Sequence, residues 1–524
     1  MIAADVAPGI AEPSLQDSLV AAMMQPEFYP KPPNRVTHKE THISHLFFAG
    51  ELVFKIKKAI RFPFLDYSSL VKRRHYLQEE LRLNRRLAPS VYLGVMPIAL
   101  DESGWRLGGW AEPGEYTLVM RRLPEKRMLR FLLHTHQASG EMMQDLAKLL
   151  AGFHNKAERI FFDPDDYVAA LERQWNENLS ELKPCLGRSV DREALAAIGS
   201  AGSEFIAANK SLLMRRVIEG WIRDVHGDLH AEHICFAPEG IQIFDGIEFN
   251  ANLRRCDLAS EIGFLSMDLA VRGGESLRAP FLSQYREFLS DSDMPLLLPF
   301  FECYRALVRA KVHVLRIGRW NDEAARYFRF ARRFSWARFK PFLVMICGFS
   351  GSGKSTLARA LGDRLELPVY NSDVIRKNLS GILGPRVAKL NEDIYRPSVT
   401  EKTYAKIAGE AERQILAGRG AILDATFGRR SHRERIARLA AKHKTPLLII
   451  HCSTSERTVE KRLRFRAAQE MDVSDARWET YAAQKAAYEA MDEFRRESVL
   501  ELDTGGPLER LVGECEKFLR SRLS

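Results

Sequence analysis

Apolar and polar positions along this chain fall into two textures, one with strand spacing and one with helix spacing, and the change between them marks out its parts. Residues 1 to about 35 are rich in Ala and Pro and close with YPKPPN, which predicts a flexible N-terminal arm with one short helix, order beginning near Thr41. LFFAGELVFKIKK (46–58) holds two β-rich runs around Ala49, Gly50 and Glu51, the pattern of a hairpin with Lys55 in its second strand. A helix-period segment, YLQEELRLNRRLA (76–88), and two more strand-like runs, SVYLGVMPIAL (90–100) and WAEPGEYTLVMRRL (110–123), complete a small strand-rich lobe. From about residue 140 the spacing turns helical, as in EMMQDLAKLLAGFHNKAE (141–158). Strands followed by helices predict a two-lobe α+β domain over residues 36–335.

YFRFARRFSWARFKPF (327–342) is dense in arginine and aromatic residues and turns abruptly into FLVMIC, which puts a boundary between 335 and 341. Such alternation can stack nucleic-acid bases, but a helix docking two domains accounts for it more simply. Residues 341–524 alternate apolar runs (FLVMIC, PVYNSD, GAILDAT, PLLIIHC, SVLELD) with helical stretches, the signature of an α/β domain whose parallel sheet is covered on both faces.

Composition narrows the function classes. A chain of 524 residues is too long for one ordinary core. Its 46% hydrophobic and 28% charged residues are ordinary for a globular protein, and the net charge of +10 permits nucleotides or nucleic acid as partners. Seven cysteines, odd in number and never in a CxxC pair, indicate neither a disulfide framework nor a cysteine zinc site and fit a reducing cytoplasm. Neither an export signal nor an apolar run of membrane-spanning length is visible, so a cytoplasmic location with no membrane partner is expected.

The sharpest motif is GFSGSGKST, Gly348 to Thr356, directly after a strand and directly before a helix. Gly348, Gly353, Lys354 and Ser355 satisfy GxxxxGK[ST], and Ser350, Gly351, Ser352 and Thr356 fill out the cradle. Backbone N–H groups there curl around phosphate oxygens, Lys354 reaches the β/γ-phosphates, and Ser355 offers a hydroxyl to Mg2+. ATPase, GTPase and kinase readings all fit the loop itself. Downstream, Asp373 at the end of the next strand is suited to orient an acceptor hydroxyl, or simply to cap a helix. Asp424, closing another apolar strand, is suited to hold Mg2+, and Arg462, Arg464 and Arg466 either neutralise the moving phosphoryl or form a solvated helix face. Together GFSGSGKST, SDVIRK, LDAT and the arginine-bearing helix resemble the small P-loop kinase family that includes gluconate kinase, chloramphenicol phosphotransferase and the kinase domain of polynucleotide kinase. That resemblance, over 341–524, implies ATP-dependent phosphorylation of a hydroxyl. A GTP-specifying NKxD element was not found.

A second cluster, VHGDLHAEHI (225–234) followed by IQIFDGIEF (241–249), can be read as a metal cage, a phosphotransfer loop or a polar turn. Cys235 and Cys256 fall into no known zinc pattern. The stretch resembles the catalytic loop of the aminoglycoside phosphotransferase and choline kinase family, of protein-kinase-like fold, over roughly 40 to 335. The resemblance implies that Asp228 orients the acceptor hydroxyl and that Asp245 holds Mg2+ on ATP. It implies further that Lys55, paired with Glu80 or its neighbour Glu79, reaches the phosphates and that Met120 lies at the hinge beside adenine. Two features depart from the family. His233 stands at the metal-binding position where an asparagine is expected, and imidazole is a poor ligand for Mg2+; THISHLFFAGEL lacks a GxGxxG turn. Asp257 is placed either to brace the loop or to cap the following helix.

As a whole the chain resembles bacterial bifunctional aminoglycoside phosphotransferase-family/ATP-binding proteins. The expectation is a Mg2+- and ATP-dependent phosphotransferase with two nucleotide sites, acting on a small-molecule hydroxyl. Two other readings stand beside it, a regulatory nucleotide-binding protein with a degenerate N-terminal kinase domain and a polynucleotide 5′-hydroxyl kinase. Fold likeness leaves the acceptor open.

Overall fold

The computed structural model describes residues 13–62, 65–102, 104–108, 112–185, 190–317, 321–337, 339, 341–380, 396–467 and 478–523. Two compact units divide the chain, Met1–Phe334 and Ser335–Ser524.

The first unit opens with a six-stranded antiparallel sheet in the order Val36–Glu40, Ser44–Ala49, Leu52–Lys57, Pro113–Arg121, Tyr92–Asp101, Gly104–Leu107. Gly50, at φ +61°, makes the tight turn between the second and third of these strands. Side chains alternate along Leu52–Lys57. Phe54 and Ile56 pack on one face with Phe47, Ile98 and Val119. Val53 packs on the other with Leu77, Leu118 and Met120, and Val53 pairs with Met120 across the sheet. The one short helix expected in the arm is Pro13–Met23. It is not loose, since it buries Leu19 and Met23 with Tyr29 against the first face, and the ordered sheet starts at Val36 rather than near Thr41.

Helix Leu70–Asn84 covers the second face. Ser69 caps it by accepting from Lys72 N–H. Its buried residues Arg73, Leu77, Glu80, Leu83 and Asn84 recur every three or four positions, so Glu80 faces the sheet while Glu79 pairs with Arg82 at the surface. The rest of this unit is helical and shares one core around Trp175. Helix Leu258–Val271 runs through that core, buried without a break from Leu258 to Leu269. Two short antiparallel ladders, Ile222–Asp224 with Arg255–Asp257 and Ile234–Ala237 with Gly240–Ile243, flank the loop that carries Asp228.

The second unit holds a five-stranded, wholly parallel sheet in the order Val369–Asn371, Ala421–Asp424, Leu343–Cys347, Leu447–Ser453, Val499–Asp503. The central strand, Leu343–Cys347, is buried throughout, with Val344 and Ile346 in one core and Leu343, Met345 and Cys347 in the other. Two-sided burial is why its sequence is continuously apolar. Among the described residues no helix is long and apolar enough to cross a membrane.

Candidate active sites

The phosphate motif leaves the carboxyl end of the central strand. Gly348 has φ +145°, and a Cβ there would lie 2.5 Å from the Cys452 carbonyl oxygen. Gly351 and Gly353, at φ +81° and +86°, turn the chain into helix Lys354–Leu365. The positive end of that helix therefore points at the loop. Lys354 Nζ makes one long bond among the described residues, 3.4 Å to the Phe349 carbonyl, and Thr356 lies exposed in the first turn. Ser350 N–H is taken by Gln484 Oε1 at 2.9 Å.

Asp424 ends the neighbouring strand and is 1% exposed. Asn371 Nδ2 donates to its Oδ2 at 2.6 Å and to Ser355 Oγ at 3.4 Å, which brings hydroxyl and carboxylate together. Asp424 Oδ1 has no hydrogen-bond partner among the described residues, and burial raises its carboxyl pKa above the usual range. A buried acid oxygen without a donor, beside a serine hydroxyl, fits an oxygen-seeking dication such as Mg2+.

Asp373 lies in a different place from that expected. Asn371 caps helix Ser372–Leu379 by accepting from the N–H groups of Asp373 and Val374. Asp373 therefore sits in the helix's first turn, and its carboxylate meets Arg376 at 3.0 Å. The arginine trio separates. Arg462 donates to the Gly351 carbonyl at 3.3 Å and the Thr504 carbonyl at 2.7 Å, tying the loop to the chain after the last strand. Arg464 points outward onto Glu460 at 2.6 Å because positions two apart on a helix face opposite sides. The Arg466 side chain lies outside the described residues.

In the first unit, Lys55 is held between two acids, 2.6 Å from Glu80 and 3.0 Å from Asp245. Glu80 also meets Lys57 at 2.9 Å, and Lys57 meets Glu248 at 2.5 Å. Burial disfavours the Lys55 charge, but Asp245, Glu80 and Glu248 outweigh it and raise its pKa well above the ordinary value.

Asp228 and Asp245 are joined through His233, whose Nδ1 lies 3.7 Å from Asp228 Oδ2 and whose Nε2 lies 3.5 Å from Asp245 Oδ2. Burial opposes the charge on Asp228, yet His230, His233 and Arg309 hold its carboxyl well below the usual range. Asp245 is likewise lowered against its burial, by Lys55 and His233. His226 and His230 are pushed down to about 4, chiefly by burial, and stay neutral at physiological pH.

Several residues support this loop, of which Glu261, Tyr92 and Asn84 carried no sequence signal. Gly227, at φ +84°, would place a Cβ 2.9 Å from Arg254 Cα, so only glycine fits the turn before Asp228. Glu261 accepts from His226 N–H at 2.9 Å and Gly227 N–H at 3.2 Å, and burial raises its pKa to about 7. Of the two roles expected of Asp257 the structure shows the cap, on helix Leu258–Val271, and Asp257 also binds Arg216 through both oxygens. Tyr92 Oη accepts from Asp245 N–H at 3.0 Å, and Asn84 Oδ1 from Gly246 N–H at 2.8 Å. These two bonds hold Asp245 in the left-handed region, φ +63°. Met120 is buried in strand Pro113–Arg121.

Residues 343–491 match the family described as AAA domain (AAA_33). Rv2004c, an uncharacterized protein of Mycobacterium tuberculosis, is 31% identical over 493 residues, covering 93% of this chain and 95% of its own length. Mb2027c of Mycobacterium bovis, also uncharacterized, matches to the same extent. Among solved structures, a gluconokinase from Sinorhizobium meliloti is 20% identical with a TM-score of 0.26, over 35% of this chain and 94% of that one. The APS kinase CysC of M. tuberculosis, in complex with AMPPNP and APS, is 17% identical with a TM-score of 0.26, over 34% and 98%. The chain belongs to the same family as these two mycobacterial proteins, and residues 343–491 of its C-terminal unit match the AAA_33 domain family.

Proposed function

We propose that the chain is an ATP-dependent phosphotransferase with two nucleotide sites, one at the P-loop and one at the Lys55–Asp228–Asp245 cluster. The observation that carries the reading is the buried Oδ1 of Asp424, without a hydrogen-bond partner among the described residues, beside Ser355 at the mouth of a glycine cradle headed by Lys354. At the P-loop, backbone N–H groups and Lys354 bind the β/γ-phosphates, with Ser355 and Asp424 as oxygen ligands for Mg2+. Mg2+, when bound, neutralises phosphate charge and fixes the phosphate geometry. Asp373 orients the acceptor hydroxyl, with Arg376 fixing its carboxylate. The acceptor O–P bond forms as the β,γ-bridging P–O bond breaks, the hydroxyl proton passes to the carboxylate, and ADP leaves.

In the first unit, Lys55 is the phosphate ligand, aligned by Glu80, and Met120 borders the adenine site. Asp245 is a ligand for the metal that accompanies ATP, and Asp228 accepts the proton of the acceptor hydroxyl. A carboxyl held well below the usual range keeps Asp228 ionised and ready to orient that group. The reading treats residues 36–335 as a protein-kinase-like domain and 341–524 as the P-loop kinase. A second reading, in which the first unit binds nucleotide as a regulator, is favoured by His233 between the two aspartates.

The test is Mg2+-dependent transfer of γ-labelled phosphate from ATP into fractionated small molecules and RNA, comparing the intact chain with Lys354→Ala and Asp228→Asn. Two products, each lost in one variant, are expected. Label that survives Asp228→Asn in full assigns the first unit to regulation, and label in RNA 5′ ends turns the acceptor class to polynucleotides. ATP binding indifferent to Lys354→Ala overturns the P-loop assignment.

A further inference from the structure

We propose that Gln484 is a specificity-determining residue of the P-loop site, its side-chain carbonyl standing where an oxygen of a γ-phosphate would sit, so that a nucleoside triphosphate displaces it and a diphosphate does not. The inference rests on the P-loop reading above. Its starting point is one peptide unit, Phe349–Ser350, on the limb of the loop that precedes the turn at Gly351. The Phe349 carbonyl accepts from Lys354 Nζ at 3.4 Å, and the Ser350 N–H of the same peptide donates to Gln484 Oε1 at 2.9 Å. The ammonium that reaches the β/γ-phosphates therefore marks this peptide as the γ end of the cradle. The α- and β-phosphates belong to the N–H groups at the head of helix Lys354–Leu365. A diphosphate thus leaves Ser350 N–H to Gln484, whereas a third phosphate needs it.

The surroundings hold the amide in place. Gln484 lies on helix Trp478–Ala486, and Tyr481, one turn earlier, is buried with Phe349, Val459 and Leu463. The Phe349 ring meets Tyr481 edge to face at 5.8 Å and Tyr488 at 5.3 Å, so the loop residue before Ser350 is clasped on both sides of Gln484. Just beyond, the fully buried Arg433 donates to the carbonyls of Glu489 at 3.1 Å and Ala490 at 2.9 Å, which fixes the chain that leaves this helix. Among the described residues no other N–H from Gly348 to Thr356 donates to a side chain. An amide oxygen on a loop N–H is the neutral counterpart of a phosphate oxygen in the same place. The charged oxygen makes the stronger bond and takes the N–H, but the exchange forfeits the neutral one.

The experiment is calorimetric titration of the intact chain with ADP and with a β,γ-imido ATP analogue, both with Mg2+, in the parent, Gln484→Ala, Gln484→Glu and Lys354→Ala. Binding at the P-loop is the share that Lys354→Ala removes. Gln484→Ala should raise the affinity for the analogue relative to ADP roughly threefold to tenfold, the worth of one neutral hydrogen bond, with ADP affinity unchanged. Gln484→Glu, whose carboxylate holds the N–H more firmly and repels the γ-phosphate, should lower the same ratio by at least as much. A ratio that stays constant, or affinities for the two nucleotides that move together as a purely structural role of the helix would require, overturns the proposal. If Lys354→Ala still abolishes binding in that case, the P-loop reading stands without it. Binding of both nucleotides that ignores Lys354→Ala sinks the two together.

Discussion

Removing the charge of Glu80 tests the architecture of the Lys55 cluster most directly. Glu80 is fully buried and shared by two ammonium groups, Lys55 at 2.6 Å and Lys57 at 2.9 Å. Breaking a buried pair outright costs about 3–5 kcal/mol because a charge is stranded. Here neither lysine is stranded, since Lys57 keeps Glu248 and Lys55 keeps Asp245. Glu80→Gln, which retains the shape but offers only one acceptor oxygen to the two ammonium groups, should therefore cost less, about 2–3 kcal/mol for one charge-assisted hydrogen bond weakened and the other lost. Glu79→Gln disturbs only a surface pair with Arg82 and should stay within about 0.5 kcal/mol. With two units in one chain, a single global unfolding curve is the wrong assay. Hydrogen exchange of peptides from Leu52–Lys57 and Leu70–Asn84, read by mass spectrometry, reports this unit alone. The expected change is exchange roughly 30- to 150-fold faster in Glu80→Gln, from about 1.4 kcal/mol per factor of ten, and near-unchanged exchange in Glu79→Gln. Equal effects of the two substitutions, or a Glu80→Gln effect below threefold, would refute the claim that Glu80 organises the cluster.

Other outcomes follow from the same geometry. The Glu261 carboxyl has a folded-state pKa raised from 4.5 to about 7, so between those values the folded state holds a proton that the unfolded state has lost. Stability of the first unit should fall as pH rises through this window, by up to about 3 kcal/mol, and the difference between Glu261→Gln and the parent should grow by that amount from pH 5 to pH 8. Parallel curves would contradict it. Gly348→Ala should destabilise the second unit more than Gly353→Ala in thermal unfolding. The first Cβ meets the Cys452 backbone oxygen at 2.5 Å, whereas the second meets the side-chain end of Arg462 at 3.0 Å and Thr504 Oγ1 at 3.4 Å. Asp424→Asn should leave the unliganded melting temperature unchanged or slightly higher while removing the gain in nucleotide affinity that Mg2+ brings, measured calorimetrically.

The parallel sheet was legible because strands buried on both faces read as unbroken apolar runs, and LVMIC, AILD and LLIIHC could be placed by inspection. The hairpin bearing Lys55 was legible from its glycine turn. The N-terminal residues misled because Pro and Ala in YPKPPN and its approach hide three spaced apolar residues, Leu19, Met23 and Tyr29, whose partners are strands further along the chain. Asp373 was misplaced by part of a turn because Asn371, an equally good cap, takes the boundary position. Tyr92, Asn84 and Glu261 were out of reach for another reason. Each acts on backbone N–H groups brought near only by the fold, Tyr92 and Asn84 on the segment at Asp245 and Glu261 on the turn before Asp228, and no local pattern marks them.

The strand that carries the phosphate loop pairs only with strands synthesised after it. Leu343–Cys347 lies between Ala421–Asp424 and Leu447–Ser453, so roughly 75 residues must leave the ribosome before its first edge is satisfied and about 100 before its second. At about 5–20 residues per second this leaves a wholly apolar strand with bare hydrogen-bonding edges for roughly 4–20 s. The nascent chain is therefore most exposed to aggregation in the segment whose finished form binds phosphate. Slower translation between Leu365 and Leu447 should lower the soluble yield, and chaperone capacity during synthesis should restore it.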